Sequence, residues 1–323
     1  MSRQRLQTLC AWLVCMAALS AFDAAAQDST RPIRLLAVSP AGGPGDFVAR
    51  LISPHLAEGL GRNVVVDNRP SVNGILASEL TAKAAPDGST MVVGNNGTHA
   101  INPHLYKNLP YDPVRDFTPI AQLIFSGSVL VGSTRIAPAT FRDLIAAAKS
   151  EPGKFNIGVP GANAQVSVEM LKSMMGIELN NVPFKGSSPT EIAVMSGEVD
   201  IAFLSLPSAS THLRSNRIKA FATSVAKRSP LIPDVPTFEE LGIRNFRVGQ
   251  WHGLFAPAKT PDRFVRRAHA ALVKMFERPD VKETVISRGS EIMLNTPEQF
   301  AQVVKADLER YGKILRAAGV QPQ

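Results

Sequence analysis

Two loops rich in glycine and proline are the clearest candidates for a binding site in this sequence. Residues 40–46 are Pro-Ala-Gly-Gly-Pro-Gly-Asp, and residues 160–164 are Pro-Gly-Ala-Asn-Ala. Each loop follows an apolar run typical of a buried strand and precedes a stretch with helical spacing. Helix N-termini present free N–H groups and partial positive charge, so two facing loops could hold a carboxylate without an arginine. The alternative is that both are ordinary turns, with Asp46 as the N-cap of its helix.

The ionisable residues do not form a recognisable catalytic motif. The sequence has no nucleophile elbow, no paired-histidine zinc motif, no phosphate-binding loop and no complete dinucleotide fingerprint. Its six histidines are scattered, and none are spaced four apart on one helix. His99 and His104 lie five residues apart beside Pro103, so a metal site there is an alternative to a structural role. We predict no catalytic residue, no metal and no cofactor.

The N-terminus has the three parts of a secretory signal peptide. A basic start precedes the apolar run 9–21, and Ala24 to Ala26 provide the small residues of a cleavage site. We therefore predict that residues 1–26 are a signal peptide, cleaved near Ala26, and that the mature protein is periplasmic. A buried N-terminal helix is the alternative. Both cysteines of the chain fall in this segment, so the mature protein would form no disulfide.

Charge and periodicity narrow the function classes and the fold. The formal net charge of +8 is scattered, which suits an anionic ligand or serves only solubility, and no dense basic stripe favours nucleic acid. No run after the signal peptide is long enough to span a membrane. Short apolar strands alternate with helical stretches, from 33–39 and 47–60 to the helical segments 261–276 and 297–318. This alternation predicts α/β layers with mostly parallel sheets, and the length predicts about two domains.

Short strings along nearly all of the mature chain carry a family resemblance. They are Pro32 to Leu35 with Gly42-Gly43 and Asp46, Val64 to Pro70, Ala84 to Gly88, Gly97 to Pro103, Leu109 to Pro113, Val182 to Gly186, Gly197 to Asp200, Ala226 to Pro230, Asp234 to Thr237, and Trp251 to Pro257. In this order they resemble the substrate-binding receptors of tripartite tricarboxylate transporters, also called Bug receptors.

The resemblance implies a two-lobed α/β fold of the type II periplasmic binding protein kind, with the ligand cleft between the lobes. It implies a discontinuous first lobe, residues 27–128 plus 249–323, and a second lobe, residues 129–248. The chain would cross between lobes near 123–131 and 247–253. The family grips a ligand carboxylate with backbone amides of both loops, which implies ligand contacts at Ala41, Gly42, Gly43, Asp46, Gly161, Ala162 and Asn163. Further candidates are Thr98 and Ser126 in the first lobe and Lys185, Gly186, Leu204 and Ser205 in the second.

Three departures from the family pattern bear on specificity. Pro44 replaces a hydroxyl residue, Phe184 replaces a tyrosine, and Leu204-Ser205 replace an Asp-Asn pair. Each change removes polar capacity, and a buried ammonium group without an acidic partner is costly. We therefore predict that the far end of the ligand is uncharged or apolar rather than an amino group. The alternative is that positions 204 and 205 face the core, or that water compensates.

The resemblance implies a binding protein without catalysis. It would capture a small organic carboxylate as a monomer and deliver it to the membrane subunits of a transporter, with no nucleic acid involved. A periplasmic ligand sensor that feeds a signalling system needs the same cleft and stays open as an alternative. A periplasmic hydrolase is a further alternative, but it requires a nucleophile, a base and an orienting acid that these histidines do not supply.

Overall fold

A computed structural model describes residues 31–184, 187–244 and 246–322, which form two α/β lobes. The predicted signal peptide, Lys185 and Gly186 lie outside the described residues. Within the part of the chain that is described, no helix is both long and apolar enough to cross a membrane.

The strands and helices alternate through most of the chain, as the periodicity predicts. The strands are β1 (Ile33–Ala37), β2 (Val64–Asn68), β3 (Thr90–Asn95), β4 (Phe117–Ser133), β5 (Asn156–Val159), β6 (Asn180–Pro183), β7 (Ile201–Ser205), β8 (Ile218–Thr223), β9 (Gly249–Pro257) and β10 (Ser290–Ile292). The helices are α1 (Pro44–Leu60), α2 (Ile75–Ala82), α3 (Phe141–Ser150), α4 (Ala162–Met175), α5 (Ser187–Ser196), α6 (Leu206–Arg214), α7 (Asp262–Glu277), α8 (Pro279–Ile286) and α9 (Pro297–Ala317).

Each lobe is built on a mixed sheet rather than a mostly parallel one. In the first lobe the order is β2-β1-β3-β9-β4-β10, with β1 parallel to β2 and β3 and the remaining pairs antiparallel. In the second lobe the order is β8-β4-β7-β5-β6, with β5 parallel to β6 and β7. The antiparallel pairs involve the strands that join the lobes, because a chain that crosses and returns runs in both directions.

Strand β4 belongs to both sheets and changes partner in the middle of its length. Gly127 pairs with Gly249 of β9, whereas the next residue, Ser128, pairs with Ser205 of β7. Both connections between the lobes therefore pass close to this point. This change of partner supports the proposed division into residues 27–128 with 249–323 and residues 129–248.

The core of the first lobe follows from its sequence pattern. Val48, Ile52 and Leu56 recur at four-residue spacing on α1, and all three are fully buried. They belong to one cluster with Leu35 of β1 and Leu272 of α7. The strand β1 is an almost uninterrupted apolar run, as expected of a parallel strand covered on both faces.

Candidate functional site

A cavity of about 610 Å³ lies between the two lobes. Its walls include the segments that directly follow the C-terminal ends of β1, β3, β5 and β7. Ligands of open α/β sheets bind at this edge, because the loops there lead into helix N-termini. Both predicted loops reach the cavity, since Gly42 and Gly43 from the first loop and Gly161 and Asn163 from the second line it.

The first loop is held together by Asp46, although not as the expected N-cap. Helix α1 begins at Pro44, three residues before the predicted start, and its N-cap is Gly43. Proline is well suited to the first helical turn because its missing N–H has no intrahelical acceptor there. Asp46 is therefore the third helical residue, and its carboxylate reaches back to the Gly42 N–H at 2.8 Å.

Hydrogen bonds within the first loop engage its backbone donors. The Gly43 N–H donates to the Pro40 carbonyl at 3.0 Å, and the Asp46 N–H donates to Ser39 Oγ at 3.0 Å. Burial opposes ionisation of Asp46, but hydrogen bonds from Arg50 and the Gly42 amide hold the pKa of its carboxyl below the ordinary value. In this conformation the Gly42 and Gly43 amides are used by the loop itself. Ala41 and Asp46 do not line the cavity.

Asp46→Ala is expected to lower the free energy of unfolding by about 2 kcal/mol, because the Gly42 amide and Arg50 lose a charged, buried partner. Asp46→Asn keeps an acceptor oxygen for the Gly42 amide and should cost less. Urea unfolding followed by circular dichroism measures both. Asp67→Ala is the control, since its partners Arg34 and Arg69 are exposed and such pairs contribute about 0–1 kcal/mol. Equal losses at both positions would contradict the role assigned to Asp46.

The second loop leaves its helix N-terminus uncapped toward the cavity. Gly161 has a φ of 148°, which side-chain-bearing residues rarely adopt, and α4 begins at the next residue, Ala162. No side chain caps this helix, and its first-turn amides have no intrahelical acceptors. Asn163, Ala164 and Ser167 of α4 line the cavity beside the loop. This loop is therefore the better prepared of the two to receive an anion.

The connecting strands form a third wall, of which only Ser126 was predicted from the sequence. Alternate residues of β4 and β9 face the cavity, and Ser290 of β10 joins them. We call this surface the cleft floor, and it consists of Ile124, Ser126, Ser128, Gln250, His252 and Ser290. The predicted candidate Ser126 is part of it, and its Oγ lies 2.8 Å from Ser290 Oγ. Every polar side chain of the cleft floor is electrically neutral at pH 7, since burial lowers the pKa of His252 to about 4.

Of the other predicted residues that the structure describes, two line the cavity and one does not. Leu204 and Ser205 line the cavity at the end of β7. Thr98 does not line it, because its side chain is buried against the neighbouring turn, with Oγ1 2.8 Å from His99 Nδ1. Gln250 and His252 were not predicted as site residues, because the sequence of β9 around them also contains the apolar residues of a core strand. The signal that could have found them is the alternation of these polar residues with Trp251, which is buried on the opposite face.

The electrostatics of the cavity wall favour an anion over a cation. Among the described residues that line it, no side chain is acidic, and Arg288 is the one permanently charged cation. The Arg288 guanidinium lies over the Phe47 ring, 4.1 Å from its centroid. An ammonium group in this cavity would find no carboxylate partner among these residues, and desolvating it unpaired would be unfavourable.

The two histidines considered for a metal site contact protein groups. His99 is fully buried and stacks on Phe255 with 3.8 Å between the ring centroids. His104 Nε2 lies 2.7 Å from the Leu308 carbonyl oxygen. Within residues 31–184, 187–244 and 246–322, no three His, Cys, Asp or Glu side chains are grouped so that they could hold a metal ion.

Comparison with known proteins identifies the family. The model of the tripartite tricarboxylate transporter family receptor matches residues 48–320. This chain belongs to that family. Its members are periplasmic solute-binding proteins, so the resemblance seen in the sequence and the two-lobed binding-protein fold are both confirmed.

Three relatives illustrate the similarity of this receptor to other members. A protein encoded in the tcbD-tcbE intergenic region of Pseudomonas sp. strain P51 is 35% identical over 292 residues, covering 88% of this chain and 86% of the relative. The Rhodopseudomonas palustris protein Rpa4515, solved with adipate, has 30% identity and a TM-score of 0.78, covering 91% of this chain and 99% of that one. MatC of the same organism, solved with bound malate, has 31% identity and a TM-score of 0.73, covering 88% and 99%.

Proposed function

We propose that this protein captures a small organic carboxylate in the interlobe cavity and delivers it to the membrane subunits of a tripartite tricarboxylate-type transporter. It acts as a monomer and without catalysis. The observation that carries the proposal is a cavity with an uncapped helix N-terminus and no acidic side chain among its described lining residues. Adipate and malate in two related structures support a carboxylate as the ligand class.

The second loop supplies the anchor for the ligand carboxylate in this proposal. The amide hydrogens of the first turn of α4 can donate to both carboxylate oxygens, and the helix dipole adds attraction. The first loop contributes through Gly42 and Gly43, which line the opposite wall. For their amides to reach the ligand, the hydrogen bonds to Asp46 and Pro40 must be exchanged for bonds to the ligand or to bridging water.

Closure of the lobes would turn this open cavity into a binding site. The connecting strands meet near Gly127 and Gly249, which makes this crossing the proposed hinge. Closure would bring the loops that follow β1 and β5 toward each other and remove water from the carboxylate. A closed lobe pair would then be the form that the membrane subunits recognise. A sensor for a signalling system would use the same movement, and transport is preferred because the family is that of transporter receptors.

Carboxylates are expected to stabilise the purified protein after bound ligand is removed by unfolding and refolding. A ligand at about 100 times its dissociation constant adds roughly 2.7 kcal/mol to the free energy of unfolding, which is readily seen as a rise in melting temperature. The panel contains mono-, di- and tricarboxylates, with the corresponding carboxamides as uncharged controls and L-aspartate as the ammonium-bearing comparison. Stabilisation by carboxamides and carboxylates alike, or by L-aspartate above all, would contradict the proposal.

A further inference from the structure

His252 is part of the cleft floor and its ring has no hydrogen-bond partner for Nδ1 among the described residues. It is on β9, where it pairs with Asn95 of β3 and with Ile124 of β4, so strands flank it on both sides. Its side chain is 1% exposed and lines the cavity. Its Nδ1 atom is buried and has no hydrogen-bond partner among the described residues. The ring therefore has hydrogen-bonding capacity that no described protein group uses.

The chemistry of the cleft floor selects what can reach His252. Burial leaves the imidazole neutral at physiological pH, so it has one N–H donor and one acceptor nitrogen. Its neighbours Gln250, Ser126 and Ser290 also combine donors with acceptors and carry no charge. A second carboxylate would bring a negative charge onto a surface whose own side chains include no cation. An alkyl chain would leave the His252 ring without a hydrogen-bond partner, whereas Ser126 and Ser290 already hydrogen-bond each other.

We infer that His252 is a specificity-determining residue that hydrogen-bonds a hydroxyl group of the ligand, so that the ligand is a hydroxycarboxylate. A hydroxyl group donates and accepts at once and carries no charge, which matches each polar group of the cleft floor. The inference rests on the proposed function, because the carboxylate is held by the loops while the hydroxyl contacts the floor. It also refines the expectation of an uncharged far end, since the cleft floor requires that end to be polar.

The test uses pairs of acids that differ only in hydroxylation, measured by isothermal titration calorimetry on the refolded protein. The pairs are L-lactate with propionate, and D-gluconate with hexanoate, so that each acid has a single carboxylate. We expect the hydroxylated member of at least one pair to bind about tenfold or more tightly, since one hydrogen bond of ordinary strength corresponds to roughly that factor. His252→Leu should reduce this preference to about threefold or less, because only the affinity for the hydroxylated acid falls.

Two further variants keep the result interpretable. His99→Leu removes another fully buried neutral imidazole, which does not line the cavity, and should leave the preference unchanged. His252→Gln retains a donor and an acceptor at nearly the same place and should keep part of the preference, even where the leucine variant folds poorly.

The outcomes separate this inference from the proposed function. Carboxylate binding without any hydroxyl preference, or with a preference that survives in His252→Leu, overturns the role of His252 and leaves the proposed function standing. A folded, ligand-free protein that binds no carboxylate overturns the proposed function, and the inference falls with it. Equal loss of preference in His252→Leu and His99→Leu would show a general packing effect and would also overturn the inference.

Discussion

Gly249→Ala is expected to lower the free energy of unfolding by about 3–5 kcal/mol, because two independent costs meet at one residue. Gly249 has a φ of 154°, in a region that residues with a Cβ rarely adopt. An added Cβ would also lie 2.4 Å from the Ser126 carbonyl oxygen, which belongs to the backbone of β4 and cannot rotate away. Either the strain is retained or the connecting strands separate.

Gly161→Ala is the matched control for this substitution. Its φ of 148° is nearly the same, but a Cβ there has no atom within 4 Å. The control therefore carries the backbone strain alone, about 1–3 kcal/mol. Urea unfolding followed by circular dichroism gives both values. If Gly249→Ala costs no more than Gly161→Ala, the two crossing strands are not in the close contact described here.

The crossing is held from both lobes, which gives the Gly249 substitution a consequence beyond stability. Asn96 Nδ2 donates to the Gly249 carbonyl at 3.0 Å from the first lobe. Ser224 Oγ donates to the Val248 carbonyl from the second lobe. These two hydrogen bonds restrain the proposed hinge on both sides. Added volume at Gly249 should therefore alter the equilibrium between open and closed lobes as well as the folded population.

The local sequence pattern predicted most of the helices and strands. The exceptions are strands whose extent depends on residues far away in the sequence. The units β1–α1 and β5–α4 were recognisable because apolar runs and four-residue stripes report burial directly. Strand β4 was expected only as residues 129–132 with a crossover at 123–131, whereas it runs from Phe117 to Ser133. Its length depends on partners in two sheets, and no property of its own residues reports those partners.

The part of the candidate site that depends on backbone amides was predicted from the sequence. The part that depends on the direction of side chains was mostly not predicted. Gly42, Gly43, Gly161 and Asn163 line the cavity because their loops must follow buried strands. Apart from Ser126, the cleft floor could not be predicted, since whether His252 faces a core or a cleft depends on the twist and pairing of β9. The residues next to His252 in the sequence do not indicate which face of β9 it lies on.

Acidification from pH 7 to pH 5 is expected to lower the free energy of unfolding by about 4 kcal/mol through two buried histidines, roughly 2 kcal/mol from each. Burial alone lowers the pKa of His99 to about 3 and that of His252 to about 4. An unfolded histidine titrates near about 6.5. Between these values the unfolded chain binds more protons than the folded one, so stability rises with pH and is complete above the unfolded pKa.

His99→Leu isolates one half of this effect, because other groups titrate equally in both proteins. His99 contacts Phe255, Phe117 and Tyr111 rings and the Thr98 hydroxyl, with no charged group among these contacts. Its substitution should remove about 2 kcal/mol of the loss between pH 7 and pH 5, whatever it costs at pH 7. Urea unfolding of both proteins at pH 7, 6 and 5 measures the difference. If the free energies of unfolding of the two proteins changed equally with pH, His99 would bind its proton as readily in the folded protein as in the unfolded chain. That result is incompatible with an imidazole enclosed by aromatic rings.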